Sequence, residues 1–173
     1  MATVLDPAPE LRAAGVRGRG DPVEVRLSDL RGRWAVVFFY PRDFTPVCPT
    51  ELRELTRRVA EFRALDVELL ALSVDDVATH RRWIAEALGE VPFPLLSDPG
   101  GAIARAWGAL LEPQGVATRA TFVVDPDGVI QQATFHNLAV GRSISELLRV
   151  LEALRTGDRA PADWRPGEPT LGR

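Results

Sequence analysis

The residues Trp34-Ala-Val-Val-Phe-Phe-Tyr40 are apolar almost without a break, and they lead straight into Pro41-Arg-Asp-Phe-Thr-Pro-Val-Cys-Pro-Thr50. The first stretch reads as a buried strand. After the proline-rich turn, Leu52, Leu55, Val59 and Phe62 recur at helical spacing within Glu51–Phe62, so a helix with one apolar face is expected there. A second apolar run, Val67-Glu-Leu-Leu-Ala-Leu-Ser-Val74, follows after one helix. Two buried strands joined by one helix form a crossover unit, and the strands should be parallel.

Cys48, the one cysteine of the chain, sits where the first strand hands over to the helix. The opening turn of a helix carries amide donors without intrahelical partners, and its dipole favours a negative charge. A thiol placed there is drawn toward the reactive thiolate. Two helix starts fit the sequence. Thr45 can be the N-cap with Pro46 in the first helical position, which puts Cys48 in the first turn. Alternatively Thr50 caps the helix and Cys48 lies just before it, an arrangement that spares Pro49 an interior position.

Residues 1–22 are rich in Pro, Gly, Ala and Arg and show no clear period. Val23–Leu27 alternates like a half-buried strand, and 28–32 reads as a short turn. Asp75 or Asp76 can cap a helix from Val77 to about Leu88. Two prolines keep Val91–Asp98 extended, and Gly101–Trp107 suits a short helix closed by Gly108. Arg119–Asp125 reads as a core strand, Asp125-Pro-Asp-Gly128 as a turn, and Val129–Phe135 as its antiparallel return. Ser143 and Glu146 have capping-box spacing before a helix that reaches Leu154. Beyond Gly157 the chain is Pro, Gly and charge around Trp164, with 157–173 expected as a flexible or partner-docked tail.

The chain has 173 residues and a formal net charge of -3. Its arginines are scattered beside acidic residues, so neither composition nor pattern points to nucleic acid. No apolar run is long enough for a membrane span, and no basic-then-apolar leader opens the sequence. A lone cysteine cannot make an internal disulfide, and with no export signal the cytoplasm is the expected compartment. His80 and His136 with one cysteine make no credible metal set, and no cofactor is called for. His80 and Trp83 share a helix and read as packing and surface; no partner for His136 is evident from sequence.

The pattern Pro41-x-x-x-Thr45-x-x-Cys48, followed by Glu51 and preceded by Phe38-Phe39-Tyr40, resembles the active site of the peroxiredoxins, the thiol peroxidases. Arg119-Ala-Thr-Phe-Val-Val-Asp125 resembles the family's second site motif. Phe93–Asp98, Leu138–Ser143 and the tail Gly157–Glu168 look like the typical two-cysteine, alkyl hydroperoxide reductase branch. The likeness runs from about Gly32 to Thr170. It implies one thioredoxin-like α/β domain over 1–173, which the order of predicted elements also matches. That fold has a central mixed β-sheet flanked by helices, an N-terminal hairpin and a C-terminal tail.

By the same resemblance, Cys48 is the nucleophile toward hydrogen peroxide and organic hydroperoxides. Arg119 holds the sulfur's charge and the peroxide, Thr45 bridges peroxide and sulfur, and Pro41 shields the oxidised sulfur. Glu51 orients the arginine, and Arg142 supports the site through Glu51. A homodimer or a ring of dimers is implied, with the hairpin edge after Asp125 as a candidate contact. One departure matters chemically: Ala160 stands where that branch carries its resolving cysteine, ahead of Pro161-Ala-Asp-Trp164. Resolution then falls to an external thiol, small or carried by a thioredoxin- or glutaredoxin-like protein. A thioredoxin-type disulfide exchanger is excluded, because Thr45 occupies the place of its second cysteine. The competing reading is a non-catalytic peroxide sensor or holdase on the same scaffold.

Overall fold

The computed structural model describes residues 2–173. The chain divides into two compact units, one running to Arg142 and the other Ser143–Arg173.

The first unit is built on a seven-stranded mixed sheet. Its strands are β1 (Arg12–Gly18), β2 (Asp21–Arg26), β3 (Trp34–Phe39), β4 (Val67–Ser73), β5 (Val91–Ser97), β8 (Arg119–Val124) and β9 (Ile130–His136); β6 (Leu110–Leu111) and β7 (Val116–Ala117) form a separate ribbon. The sheet order is β2-β1-β5-β4-β3-β8-β9. As the apolar runs demand, β3 and β4 are central and parallel, with Val37 opposite Leu70 and Phe39 opposite Leu72. β8 lies antiparallel to β3 with Val37 opposite Phe122, and β9 returns beside it as expected of the Asp125–Gly128 turn.

Successive side chains of a strand face opposite ways, and both faces of β3 are buried. On one face Val37, Phe39, Leu70, Leu72 and Phe122 gather with Ala104 of helix α4 (Ala102–Ala106) and with Trp107. Phe39, Trp107 and Phe122 meet edge to face or tilted, with centroids 4.9–6.0 Å apart, a geometry that aromatic quadrupoles favour. Helices α1 (Cys48–Arg57), α2 (Val59–Ala64) and α3 (Val77–Trp83) pack against β5, β4 and β1. α3 continues into a π turn, Ile84–Leu88, so the helical span matches the expected Val77–Leu88.

The N-terminal hairpin starts earlier than the sequence pattern indicated. β1 pairs with both β2 and β5, and Gly15 lies against the Leu95 backbone so closely that any Cβ there would collide with it. The helix expected over Glu51–Phe62 begins at Cys48 and breaks at Arg58, whose φ of -104° and ψ of 10° leave the helical region.

The second unit is α5 (Ile144–Thr156) and the segment after it. Ser143 caps α5 by accepting from the Glu146 N–H, and Gly157 ends it in the left-handed conformation. The tail then folds on itself. The Arg159 N–H donates to the Gly172 carbonyl at 2.9 Å and the Leu171 N–H to the Arg159 carbonyl at 2.8 Å, and the buried Trp164 donates its indole N–H to the Glu168 carbonyl. Ala160 is half-buried in this segment.

Candidate active site

Cys48 is the first residue of α1. This corrects both expected helix starts. The N-cap is Val47, with no side chain capping the turn, and Pro49 occupies the second helical position. Its missing N–H is harmless there, since the first four donors have no intrahelical partner in any case. Thr50 turns its hydroxyl to the Val47 carbonyl at 2.6 Å and Thr45 to the Arg42 carbonyl at 2.9 Å. Neither threonine caps the helix.

The sulfur has no solvent exposure, yet its neighbour is a charge rather than hydrocarbon. Arg119, the first residue of β8, places Nη1 3.4 Å from Sγ. The same nitrogen donates to Glu51 Oε2 at 2.8 Å, while Nε donates to the Leu138 carbonyl at 2.8 Å. Glu51 lies one helical turn after Cys48 and is 3% exposed. Its Oε1 accepts from both the backbone N–H and Nε of Arg142, and its Oε2 from Arg142 Nη2, at 2.8–2.9 Å.

Arg142 is the residue that sequence reading most undervalued. Its Nη1 reaches the Phe39 and Ala120 carbonyls at 2.9 and 2.8 Å and the Thr121 hydroxyl at 3.1 Å. Its guanidinium carbon lies 3.3 Å above the Phe38 ring centroid, a cation–π contact. Arg142 therefore joins the end of β3, the start of β8 and α1 in one group. Its position in a loop, with no periodic pattern around it, left no local signal of that span.

Burial pushes the Glu51 carboxyl up, but the hydrogen bonds and charge of Arg142, and then the charge of Arg119, outweigh it and hold the group below its ordinary value. Burial pulls Arg142 down against the opposing pull of Glu51, though a guanidinium remains a cation. A carboxyl lowered by folding stabilises the fold above its unfolded value of about 4.3, and that stability drains as pH falls through the lower folded value. Thermal melts below about pH 4 should therefore fall more steeply for the native chain than for Glu51→Gln, which has no proton to take up there. Equal acid slopes would show that the ion pairs contribute nothing.

Pro41 is buried and Thr45 half-buried in the loop between β3 and α1. Because Thr45 donates its hydroxyl hydrogen to Arg42, its lone pairs are what it can offer an incoming proton. The structure thus brings Cys48, Arg119, Glu51 and Arg142 into one bonded cluster, with Thr45 and Pro41 on the loop that delivers the sulfur.

A second polar network, unexpected from sequence, borders the same loop. The Tyr40 hydroxyl donates to Asp43 Oδ1 at 2.9 Å, and His80 Nδ1 lies 2.7 Å from Asp43 Oδ2, both side chains of that pair being wholly buried. His80 is thus a core residue with polar partners on both ring nitrogens, the second being the Leu96 carbonyl at 3.2 Å. Desolvation raises both Tyr40 and Asp43. Asp76 is the residue that caps α3. Asp75 instead binds the loop: its Oδ2 accepts the Asp43 N–H at 2.8 Å.

The model of the AhpC/TSA family matches residues 4–133. The chain belongs to the AhpC/TSA family. Among its peroxiredoxin relatives, a protein of the Clostridium pasteurianum rubredoxin operon is 42% identical, the match covering 95% of this chain and 96% of that one. Peroxiredoxin-2 of Bos taurus is 43% identical over 98% of this chain and 89% of its own. The crystal structure of the reduced 2-Cys peroxiredoxin of Plasmodium vivax superposes with a TM-score of 0.94 at 33% identity, covering 98% and 93% of the two chains.

A thiol-dependent hydroperoxide reductase is the enzyme that follows from this kinship, and the thioredoxin-like fold expected from sequence is present. With one cysteine in the sequence, this peroxiredoxin fits a one-cysteine mechanism. Among the described residues no helix is long and apolar enough to cross a membrane, and no group of His, Cys, Asp and Glu could hold a metal ion.

Proposed function

We propose that Cys48 is the peroxide-reducing thiol and that Arg119, Thr45 and Pro41 form its substrate site, with Glu51 and Arg142 holding Arg119 in place. The observation that carries this reading is the 3.4 Å contact between Arg119 Nη1 and the sulfur. Arg119 and Arg142 bring two positive charges and Glu51 one negative. An anionic sulfur brings the buried group to neutrality, which lowers the cost of burying it.

The thiolate attacks one oxygen of the hydroperoxide, and the O–O bond breaks. Sulfur is oxidised to the sulfenate, and the second oxygen leaves with the bonding pair as hydroxide or alkoxide and takes up a proton. Arg119 faces the charge developing on the oxygens, where a fixed cation in a water-poor site has its largest effect. The Thr45 oxygen accepts the peroxide hydrogen and so aligns the attacked oxygen. The ring of Pro41 keeps water from the product. An external thiol then condenses with the sulfenic acid to form a mixed disulfide and water, and a second thiol releases Cys48.

Supporting the external reductant is Ala160, which leaves this chain no second thiol. A thioredoxin- or glutaredoxin-like protein or a small thiol fills the role, and the cytoplasm keeps such thiols reduced. A homodimer, alone or in a ring, would pair through the β9 edge beyond Ile130, where Phe135 is exposed; nearer the turn, Leu5 and Asp6 already bond Ile130.

Stopped-flow mixing with hydrogen peroxide, followed by a panel of small thiols and thiol proteins, tests the whole cycle. Many peroxide equivalents consumed per chain with at least one thiol are expected. Oxidation that halts at one equivalent with every thiol would assign the chain to sensing instead.

A further inference from the structure

Asp75 lies outside the charged cluster, and no step above uses it. It is the second residue after β4 and is fixed by the sheet from two sides. Its Oδ2 accepts the Ser73 hydroxyl at 2.7 Å, its N–H donates to Ser73 Oγ at 3.2 Å, and its carbonyl accepts the Ser97 hydroxyl of β5 at 2.6 Å. That same Oδ2 reaches across to the Asp43 N–H at 2.8 Å. One oxygen thus links the sheet to the loop that carries Thr45 and leads into Cys48.

The loop needs such a link. Phe44, the residue after Asp43, has φ of 55°, a strained left-handed conformation that is an outlier for a bulky side chain. The residue is 44% exposed, so burial does not hold it. Its ring rests 6.1 Å from the Trp83 ring, with the Arg82 guanidinium 5.1 Å from its centroid. A strained residue persists only where its surroundings over-determine it. Here the N–H of Asp43, the residue before Phe44, is pinned by Asp75, and the Asp43 side chain by Tyr40 and His80.

We propose that Asp75 is a positioning residue for peroxide reduction. Its carboxylate oxygen fixes the Asp43 amide, keeps Phe44 in the left-handed turn, and thereby sets where Thr45 and Cys48 meet the peroxide. The inference rests on the reading that those two residues act on peroxide.

The test compares two reactions of Cys48 in the full chain. Reduction of hydrogen peroxide requires the aligned loop, whereas alkylation by iodoacetamide requires only an accessible thiolate. In Asp75→Ala, a loop displaced by about 1 Å should react with peroxide about 10- to 100-fold more slowly, while alkylation of the now less enclosed sulfur becomes faster. Asp75→Asn should keep a peroxide rate near that of the native chain, because an amide oxygen can accept the same two bonds.

A native peroxide rate in Asp75→Ala would overturn the proposal. So would an Asp75→Asn protein as slow as the alanine variant, or both reactivities of Asp75→Ala falling together. Should Asp75→Ala not fold, Ser73→Ala removes the hydroxyl that orients the carboxylate. The same opposed changes are expected of it, and parallel ones would overturn the proposal. A native chain that consumes no peroxide would overturn the underlying reading, and this inference with it; an active native chain with an unaltered Asp75→Ala would overturn this inference alone.

Discussion

Replacing Cys48 by serine is expected to abolish peroxide consumption altogether. A hydroxyl is a far weaker nucleophile than a thiolate at neutral pH, and the chain has no other sulfhydryl to take over. The substitution removes little volume, and a hydroxyl can still accept from Arg119, so the fold should persist. Peroxide followed directly by absorbance or electrode, beside a thermal melt, separates lost chemistry from lost structure. Measurable consumption by a folded Cys48→Ser protein would refute the assignment of the nucleophile.

Arg119→Ala should be the next most damaging change. It removes the donor facing both the sulfur and the peroxide oxygens, and loss of one such preorganised donor typically slows reaction about 10²- to 10³-fold. Glu51 keeps its bonds from Arg142, so the carboxylate is not left unpaired and the fold should survive. Arg119→Lys should recover only part of the rate. An ammonium is a compact point charge, whereas the native fork binds the Leu138 carbonyl, Glu51 and the sulfur at once. Single-turnover stopped-flow traces at several peroxide concentrations would measure both, and an unchanged second-order rate in Arg119→Ala would remove Arg119 from the site.

Much of this architecture was legible in the residues. The runs Trp34–Tyr40 and Val67–Val74 announced two central strands because both faces of each are buried, so apolarity is continuous. Ser143 and Glu146 marked the start of α5, since caps act locally. β1 stayed hidden for the opposite reason: Gly15 is required by a strand packed against it, and that contact arises only once β5 is in place. The start of α1 was misjudged because Thr45 and Thr50 looked like caps, while both hydroxyls satisfy carbonyls of the preceding turn.

Within the candidate site, Cys48, Thr45, Pro41 and Glu51 could be picked out because they lie within eleven residues of one another in a fixed pattern. Arg119 was reached through a second motif. The reach of Arg142, and the binding of Asp43 by Tyr40, His80 and Asp75, depend on elements far apart in the chain. No spacing encodes them.

The enclosure of Cys48 has a kinetic consequence. In the state described, not even a water-sized sphere can rest on the sulfur. A two-oxygen oxidant needs only a slight parting of the loop and helix to reach it. A reductant, with a carbon chain or a whole protein behind its thiol, needs a much wider one. No side chain caps the turn at Val47, so that wider parting has no side-chain cap to break there. Oxidation and recovery therefore ask for different amplitudes of the same motion, and stiffening this one turn would slow recovery far more than oxidation.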